Sequence, residues 1–267
     1  MCLTAASQTV TLSPPMTVTD ARGGVFRAEQ FHSNVPDGMG DHYWHQARNR
    51  IIERRLAKMD GSRDGLLLEI GCGRGIVVEF LRRRGWRIVG AELGSPEPIS
   101  AEVAPHLHLG TDALALPAAL RSEVRAVLLL DVLEHLDDPA GFLTAIVGAY
   151  PAMGRLLITV PARQELFSNY DEFYGHRLRF DEAALARLVA AAGLSLECQG
   201  YFFHALYAPA RLLSALGRPR ATVVHAPAGA VRLAHRVLGA ALAAEERLIP
   251  SALRGTSLWA ELRVPGR

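Results

Sequence analysis

Cysteine is scarce in this chain: Cys2, Cys72 and Cys198 are the only three in 267 residues. An odd, widely spaced set supports neither a disulfide framework nor a zinc pattern. A reducing, cytoplasmic setting is therefore expected, and no metal ligands are read from the sequence. Long apolar runs are lacking too, because the most apolar C-terminal stretch is broken by Arg232, His235 and Arg236. Nothing reaches the roughly 18 apolar residues that a membrane-spanning helix needs. The opening MCLTAASQTV has no basic region and no sustained apolar core, so no secretory signal is read. Charge excess is missing as well. With 29 basic against 27 acidic residues there is no global drive toward nucleic acid or an anionic membrane, and any basic patch must be local. No internal repeat is visible.

What is present is 49% hydrophobic content, ample for a core, and one organising stretch, LLLEIGCGRGIVVEFLRRRGWRIVGAE at 66–92. Leu66, Leu67, Leu68 and Ile70 form the apolar run of a strand buried on both faces, interrupted by Glu69. Gly71, Gly73 and Gly75 let the backbone turn and approach a ligand. Ile76, Val77, Phe80 and Leu81 then recur at helical spacing, Gly85 stops the helix, and 86–91 reads as a second strand. The dinucleotide fingerprint G-x-G-x-x-G fails, since its third glycine position holds Ile76. Glu69, two residues before the first glycine, would repel a diphosphate but attract a ligand carrying an ammonium and a sulfonium. S-adenosylmethionine is such a ligand. Glu92, ending the second strand, is placed to accept hydrogen bonds from ribose hydroxyls.

The rest of the chain reads in order around that stretch. Residues 1–25 show no helical or strand period and read as a mobile tail, 26–60 as a helical cap, and 61–267 as the ligand-binding domain. Asp41 is a candidate N-cap for a helix in which Trp44, Ile51, Ile52 and Leu56 make an incomplete apolar stripe. Tyr43 and Trp44 are read as pocket-lining residues, with ordinary packing the equal alternative. After the turn-rich GSPEP a helix is expected, then a strand near 106–109 and Asp112, either an acceptor for an adenine amino group or a helix N-cap. The strand 126–130 runs into DVLEHLDDP, so the residues from Asp131 to His135 lie beyond a strand's carboxyl end, where open α/β sheets bind ligands. A further strand at 154–160 leads to a long loop with Tyr170, Tyr174 and His176. Two helical stretches in 204–254 precede a final strand; a lid, a homodimer surface, a lipid-touching face or extra packing are all open readings of them.

In LLLEIGCGRG, Glu92, TDALALP and DVLEHLDDP, taken in that order, the chain resembles the class I S-adenosylmethionine-dependent methyltransferases. Within them it is most similar to the ubiquinone-biosynthesis O-methyltransferase branch, over roughly 40–200 plus the last strand. The resemblance implies an α/β, Rossmann-like fold: a seven-stranded, mostly parallel sheet with helices on both faces, the last strand antiparallel and a helical insertion before it. It also implies that Glu69, Gly71, Cys72 and Gly73 contact the methionine end of the cofactor. Glu92 with Leu93 would hold the ribose, Asp112 with Ala113 the adenine, and Asp131 would sit beside the methionine part. Branch members often open the fourth strand with Asp; Arg125 stands there here, so no role for that acid carries over.

The expected activity is methyl transfer to a small molecule, with a hydroxyl oxygen preferred and no nucleic acid partner. His135 is the first candidate base, because an ordinary imidazole near pKa 6.5 suits proton removal at neutral pH. His176 with Tyr174 is the second. N- or C-methylation, a non-catalytic S-adenosylmethionine-binding module and a nicotinamide oxidoreductase remain as alternatives.

Overall fold

The computed structural model describes residues 35–59 and 63–267, together with the backbone of two short strands before them. These are β1 (Thr17–Thr19) and β2 (Val25–Arg27), which pair antiparallel although no strand period marks them in the sequence. The rest of the stretch read as a tail lies outside the described residues. The chain continues through α1 (Tyr43–Leu56), β3 (Leu66–Ile70), α2 (Ile76–Arg82), β4 (Ile88–Glu92) and β5 (Leu107–Leu109). Next come α3 (Ala118–Glu123), β6 (Val124–Leu130), α4 (Pro139–Ala149), β7 (Arg155–Pro161), α5 (Asn169–Tyr174) and α6 (Glu182–Ala191). It closes with β8 (Ser195–Phe202), α7 (His204–Ala215), α8 (Val231–Leu248) and β9 (Ser257–Arg263).

Seven strands form one sheet in the order β5-β4-β3-β6-β7-β9-β8. Pairing is parallel from β5 to β7, and β9 is antiparallel to both of its neighbours. The expected mostly parallel sheet with an antiparallel last strand is the one found. Its strands are apolar runs because both faces are covered. Leu68, Ile70, Val127 and Leu129 point to the face under α4 and α6, while Leu67, Ala126 and Leu128 point to the face under α2 and part of α1. A third cluster, with Ile51, Phe202, Phe203, Leu242 and Trp259, fills the space between α1, α8 and the β8–β9 edge. Glu246 of α8 is ion-paired with both Arg54, at 2.9 Å, and Arg55 of α1, which ties the two helices together.

Two local expectations are corrected. The N-cap of α1 is His42, whose Nδ1 accepts from the Trp44 amide at 3.3 Å. Asp41 instead meets Arg232 at 3.1 Å and Arg236 at 3.9 Å, two cations that the sequence does not place nearby. The helix expected after GSPEP is only a short 3-10 turn, Ala104–His106. Arg74 donates to the carbonyls of Glu97 and Pro98, and the Arg74 carbonyl accepts from Ile99, so this backbone is bonded to the glycine loop and not to itself.

The chain leaves β3 toward β4 and β5, then returns to β6 on the other side of β3. That reversal opens a crevice at the carboxyl ends of β3, β4 and β6, the place where such sheets bind ligands.

Candidate functional site

The loop 71–75 enters the crevice from β3, and all three of its glycines have positive φ, with Gly73 at +52°. A Cβ built on Gly73 would meet no atom within 4 Å, so this glycine faces open space, a cradle for a ligand. The loop is not a phosphate nest. The amides of Gly71 and Cys72 donate to the Ala91 carbonyl, Gly75 to the Cys72 carbonyl, and Gly73 to Oε2 of Glu92. Val78, in the first turn of α2, hydrogen-bonds the Glu69 carboxylate. Four of the five amides of loop 71–75 are thus engaged within the protein, which leaves a diphosphate few of the donors that such a loop offers it.

What the crevice offers instead is acidic. Glu69 is buried and its Oε2 has no hydrogen-bond partner. Burial pushes its carboxyl up to about 8, against the pull of the Arg48 guanidinium. Glu92 is also buried; its Oε1 accepts from Gly94 and its Oε2 from Gly73, both at 3.0 Å. Burial raises Glu92 above the usual carboxylate range, with the Gly94, Gly73 and Leu93 amides opposing. Asp131 stands at φ +59°, in the left-handed region, bonded to Arg48 at 2.7 Å and to the Thr159 hydroxyl at 3.3 Å. Arg48, buried on α1 with its guanidinium over the Trp44 ring, keeps its Nε without a partner.

Those residues fit a zwitterionic, cationic nucleoside. Two buried carboxyls and Asp131 suit an ammonium and a sulfonium, while Arg48 suits a carboxylate. Cys72 lies buried below the loop, its thiol pushed well up by burial and by Glu69, so it is inert packing. Asp112 caps the turn Ala113–Ala115 by accepting from the Leu114 amide with Oδ1, which leaves its other oxygen for an adenine amino group, and Ala113 is buried with its carbonyl held by the Tyr150 hydroxyl. Leu93 is half-buried next to Glu92.

On the β6 side the structure brings His135 and His176 together, with ring centroids 4.9 Å apart. Glu134, which no sequence signal singles out, lies beside them: it is fully buried, both its oxygens lack a hydrogen-bond partner, and Oε1 is 3.9 Å from Nε2 of His176. Asp171 holds Nδ1 of His176 at 2.8 Å and is itself held by Arg179 at 2.9 Å. Burial would raise the Asp171 carboxyl, but the His176 hydrogen bond and Arg179 outweigh it and keep it low. Glu134 is pushed well above the usual range by burial, then by the Asp131 charge.

The two candidate bases differ in their surroundings. Burial, then His176, lowers its imidazole to about 4, leaving a neutral but weak base. His176, oriented by an anionic Asp171, has the arrangement of a base with its orienting carboxylate. Glu134, His135 and His176 also offer three ligand atoms within 4.8 Å of one another, a set that can hold a divalent cation.

Tyr170 and Tyr174 stack at 4.5 Å on α5, with the Arg220 guanidinium 4.7 Å from the Tyr170 ring. The Tyr174 ring lies 6.2 Å from that of His176, which puts this pair beside the same crevice. Tyr43 packs on His235, and Trp44 on Phe203 with the Arg48 guanidinium over its ring.

Comparison with known proteins agrees with this architecture. A family described as a methyltransferase domain matches residues 43–199, more than half of the chain. The ubiquinone biosynthesis O-methyltransferase of Serratia proteamaculans is 29% identical over 97 residues, 34% of this chain and 40% of that protein. The enzyme of the same name from Aeromonas salmonicida is 31% identical over 100 residues, 35% and 42% of the two chains. The matched stretch thus spans less than half the length of these curated relatives. Among solved structures, geranyl diphosphate C-methyltransferase from Streptomyces coelicolor A3(2), in complex with S-adenosyl-L-homocysteine, superposes with a TM-score of 0.50 at 13% identity, over 82% of this chain and 76% of that one.

Proposed function

With this chain a member of the methyltransferase domain family, we propose that it uses S-adenosylmethionine to methylate a hydroxyl oxygen of a small molecule. The observation that carries the cofactor is the glycine loop: four of its five amides are spent inside the protein, and Gly73 opens onto space bordered by buried acids. Oxygen as acceptor is favoured by the names of the partial relatives and by the His176–Asp171 pair, which only an acceptor that must lose a proton would need.

When bound, the cofactor supplies an electrophilic methyl group on a sulfonium. The residues around it bind and orient. Glu92 takes the ribose hydroxyls, Glu69 and Asp131 face the ammonium, Arg48 faces the carboxylate, and Asp112 and Ala113 meet the adenine edge. Tyr170 and Tyr174 press the acceptor into line with the methyl group, and such positioning supplies about 7–11 kcal/mol of a barrier. Nε2 of His176 takes the hydroxyl proton while Asp171 stabilises the imidazolium that results.

The testing experiment is a calorimetric titration with S-adenosylmethionine, S-adenosylhomocysteine and NADH on the wild type and on Gly73→Ala. The new methyl enters space that is empty of protein, at the roughly 1–2 kcal/mol cost of a left-handed alanine. The variant is therefore expected to remain folded, a few degrees less stable, while losing sulfur-ligand affinity at least about tenfold. NADH binding to the wild type, or unchanged affinity in the variant, contradicts the reading.

A proton should also leave on binding. Glu69, which burial holds at about 8, is largely protonated at pH 7 and ionises when a cationic ligand arrives. The apparent binding enthalpy at pH 7 is then expected to vary with the ionisation enthalpy of the buffer, and Glu69→Gln to abolish that variation.

Glu134 favours one second arrangement, because a cation held by its unpartnered oxygens and the two histidines would bind the acceptor as a hydroxylate. Dialysis against a chelator decides. Activity that survives leaves the proton with His176, whereas loss restored by a divalent metal gives the oxygen to the cation.

A further inference from the structure

The segment between β8 and β9 carries a surface that methyl transfer does not use. On α8, Gly239, Leu242, Ala243 and Glu246 turn inward. The opposite side presents Leu233, Val237, Ala241, Ala244 and Leu248, one stripe at helical spacing and all of it exposed. Leu233 is 66%, Val237 63% and Leu248 81% exposed. On α7, Leu212 and Leu216 likewise stand out at 60% and 63%. Of the exposed large hydrophobics among the described residues, all but Phe173 and Leu178 lie between Leu212 and Leu253. A normal surface scatters such residues singly; a contiguous set marks an interaction face.

Charge indicates what covers it. Residues 204–254 hold seven arginines and two glutamates, with no lysine and no aspartate. Both glutamates are engaged: Glu246 by Arg54 and Arg55, and Glu245 by the Ala205 amide. The rest of the chain has 22 basic against 25 acidic residues, so the small positive excess of the whole protein originates in this segment. A second copy seated face to face would bring arginines against arginines. An anionic lipid surface complements both the leucines and the arginines.

We propose that α7 and α8 dock the protein on the surface of an anionic bilayer. No helix among the described residues is long and apolar enough to cross a membrane, so the helices lie in the interface. Leu212, Leu216, Leu233, Val237 and Leu248 enter the headgroup–acyl boundary, and exposed arginines such as Arg218 and Arg247 meet the lipid phosphates. The loop between the two helices reaches the crevice rim, where Arg220 bonds Asn169 and the Tyr174 hydroxyl donates to the Thr222 carbonyl at 3.4 Å. The docked face therefore adjoins the acceptor side of the site. The proposal itself stands independently of the methyl-transfer reading.

The test is co-sedimentation of the full chain with vesicles of phosphatidylcholine alone and with about 30% phosphatidylglycerol. The wild type is expected to pellet with the anionic vesicles and to be released by salt. Leu233→Ser/Val237→Ser/Leu248→Ser is expected to weaken binding roughly tenfold or more with an unchanged circular dichroism spectrum. Arg218→Gln/Arg247→Gln is expected to lower affinity for the anionic vesicles alone, and it decides the matter if the serine variant fails to fold. Wild-type protein that stays in the supernatant overturns the proposal. So does a wild-type dimer that the serine substitutions dissociate, which would give the face to a second copy.

Discussion

Replacing Glu92 by alanine is expected to weaken S-adenosylmethionine binding about a hundredfold or more. A buried carboxylate that accepts from two ribose hydroxyls makes charge-assisted hydrogen bonds worth roughly 1.5–3 kcal/mol each, and 1.4 kcal/mol is a factor of ten. Glu92 also accepts from the Gly73 and Gly94 amides, so the substitution loosens the loop it is meant to serve. Glu92→Gln separates the two effects. It keeps the length but turns an NH2 toward one of those donors and removes the charge, so an intermediate loss is expected. S-adenosylhomocysteine, which has the same ribose, should lose affinity in parallel. Alanine within threefold of wild type would contradict the role.

The second large effect concerns His176. His176→Ala is expected to lower kcat by roughly 10²–10⁴ with little change in the KM for S-adenosylmethionine, since a base acts on the acceptor and not on the cofactor. Asp171 touches His176, Arg179 and the Ser168 amide, so it is a positioning residue. Asp171→Asn keeps its shape while removing the anion that orients His176, and is expected to lower kcat at least about tenfold with the KM for S-adenosylmethionine unchanged. A merely structural role would move kcat and KM together. An activity change within about threefold for His176→Ala would transfer the proton to another acceptor.

Much of this site is legible in the sequence because its signals are local. A run of four apolar residues broken by one acid, a glycine loop and a helical period lie within 66–92, and their order alone places Glu69 and Glu92 near strand ends. Contacts across the chain are not legible. Arg48 reaches Asp131 from a helix that precedes the sheet, and no periodicity encodes that pairing. Glu134 reads as one acid in DVLEHLDDP, and its significance appears only when His176, on the far loop, arrives beside it. A choice between the two histidines is out of the sequence's reach for a related reason: burial sets an imidazole's basicity, and burial is a property of the fold. Asp41 shows the same limit, since the capping rule is sound locally but Arg232 and Arg236 claim the carboxylate.

The most direct measurement of the central claim is a crystal structure with S-adenosylhomocysteine bound. The account predicts ribose hydroxyls within hydrogen-bond distance of the Glu92 carboxylate, the ligand ammonium toward Glu69 and Asp131, and ligand atoms filling the space in front of Gly73. Density for the ligand away from loop 71–75, or a ribose that leaves Glu92 bonded only to Gly73 and Gly94, would contradict it.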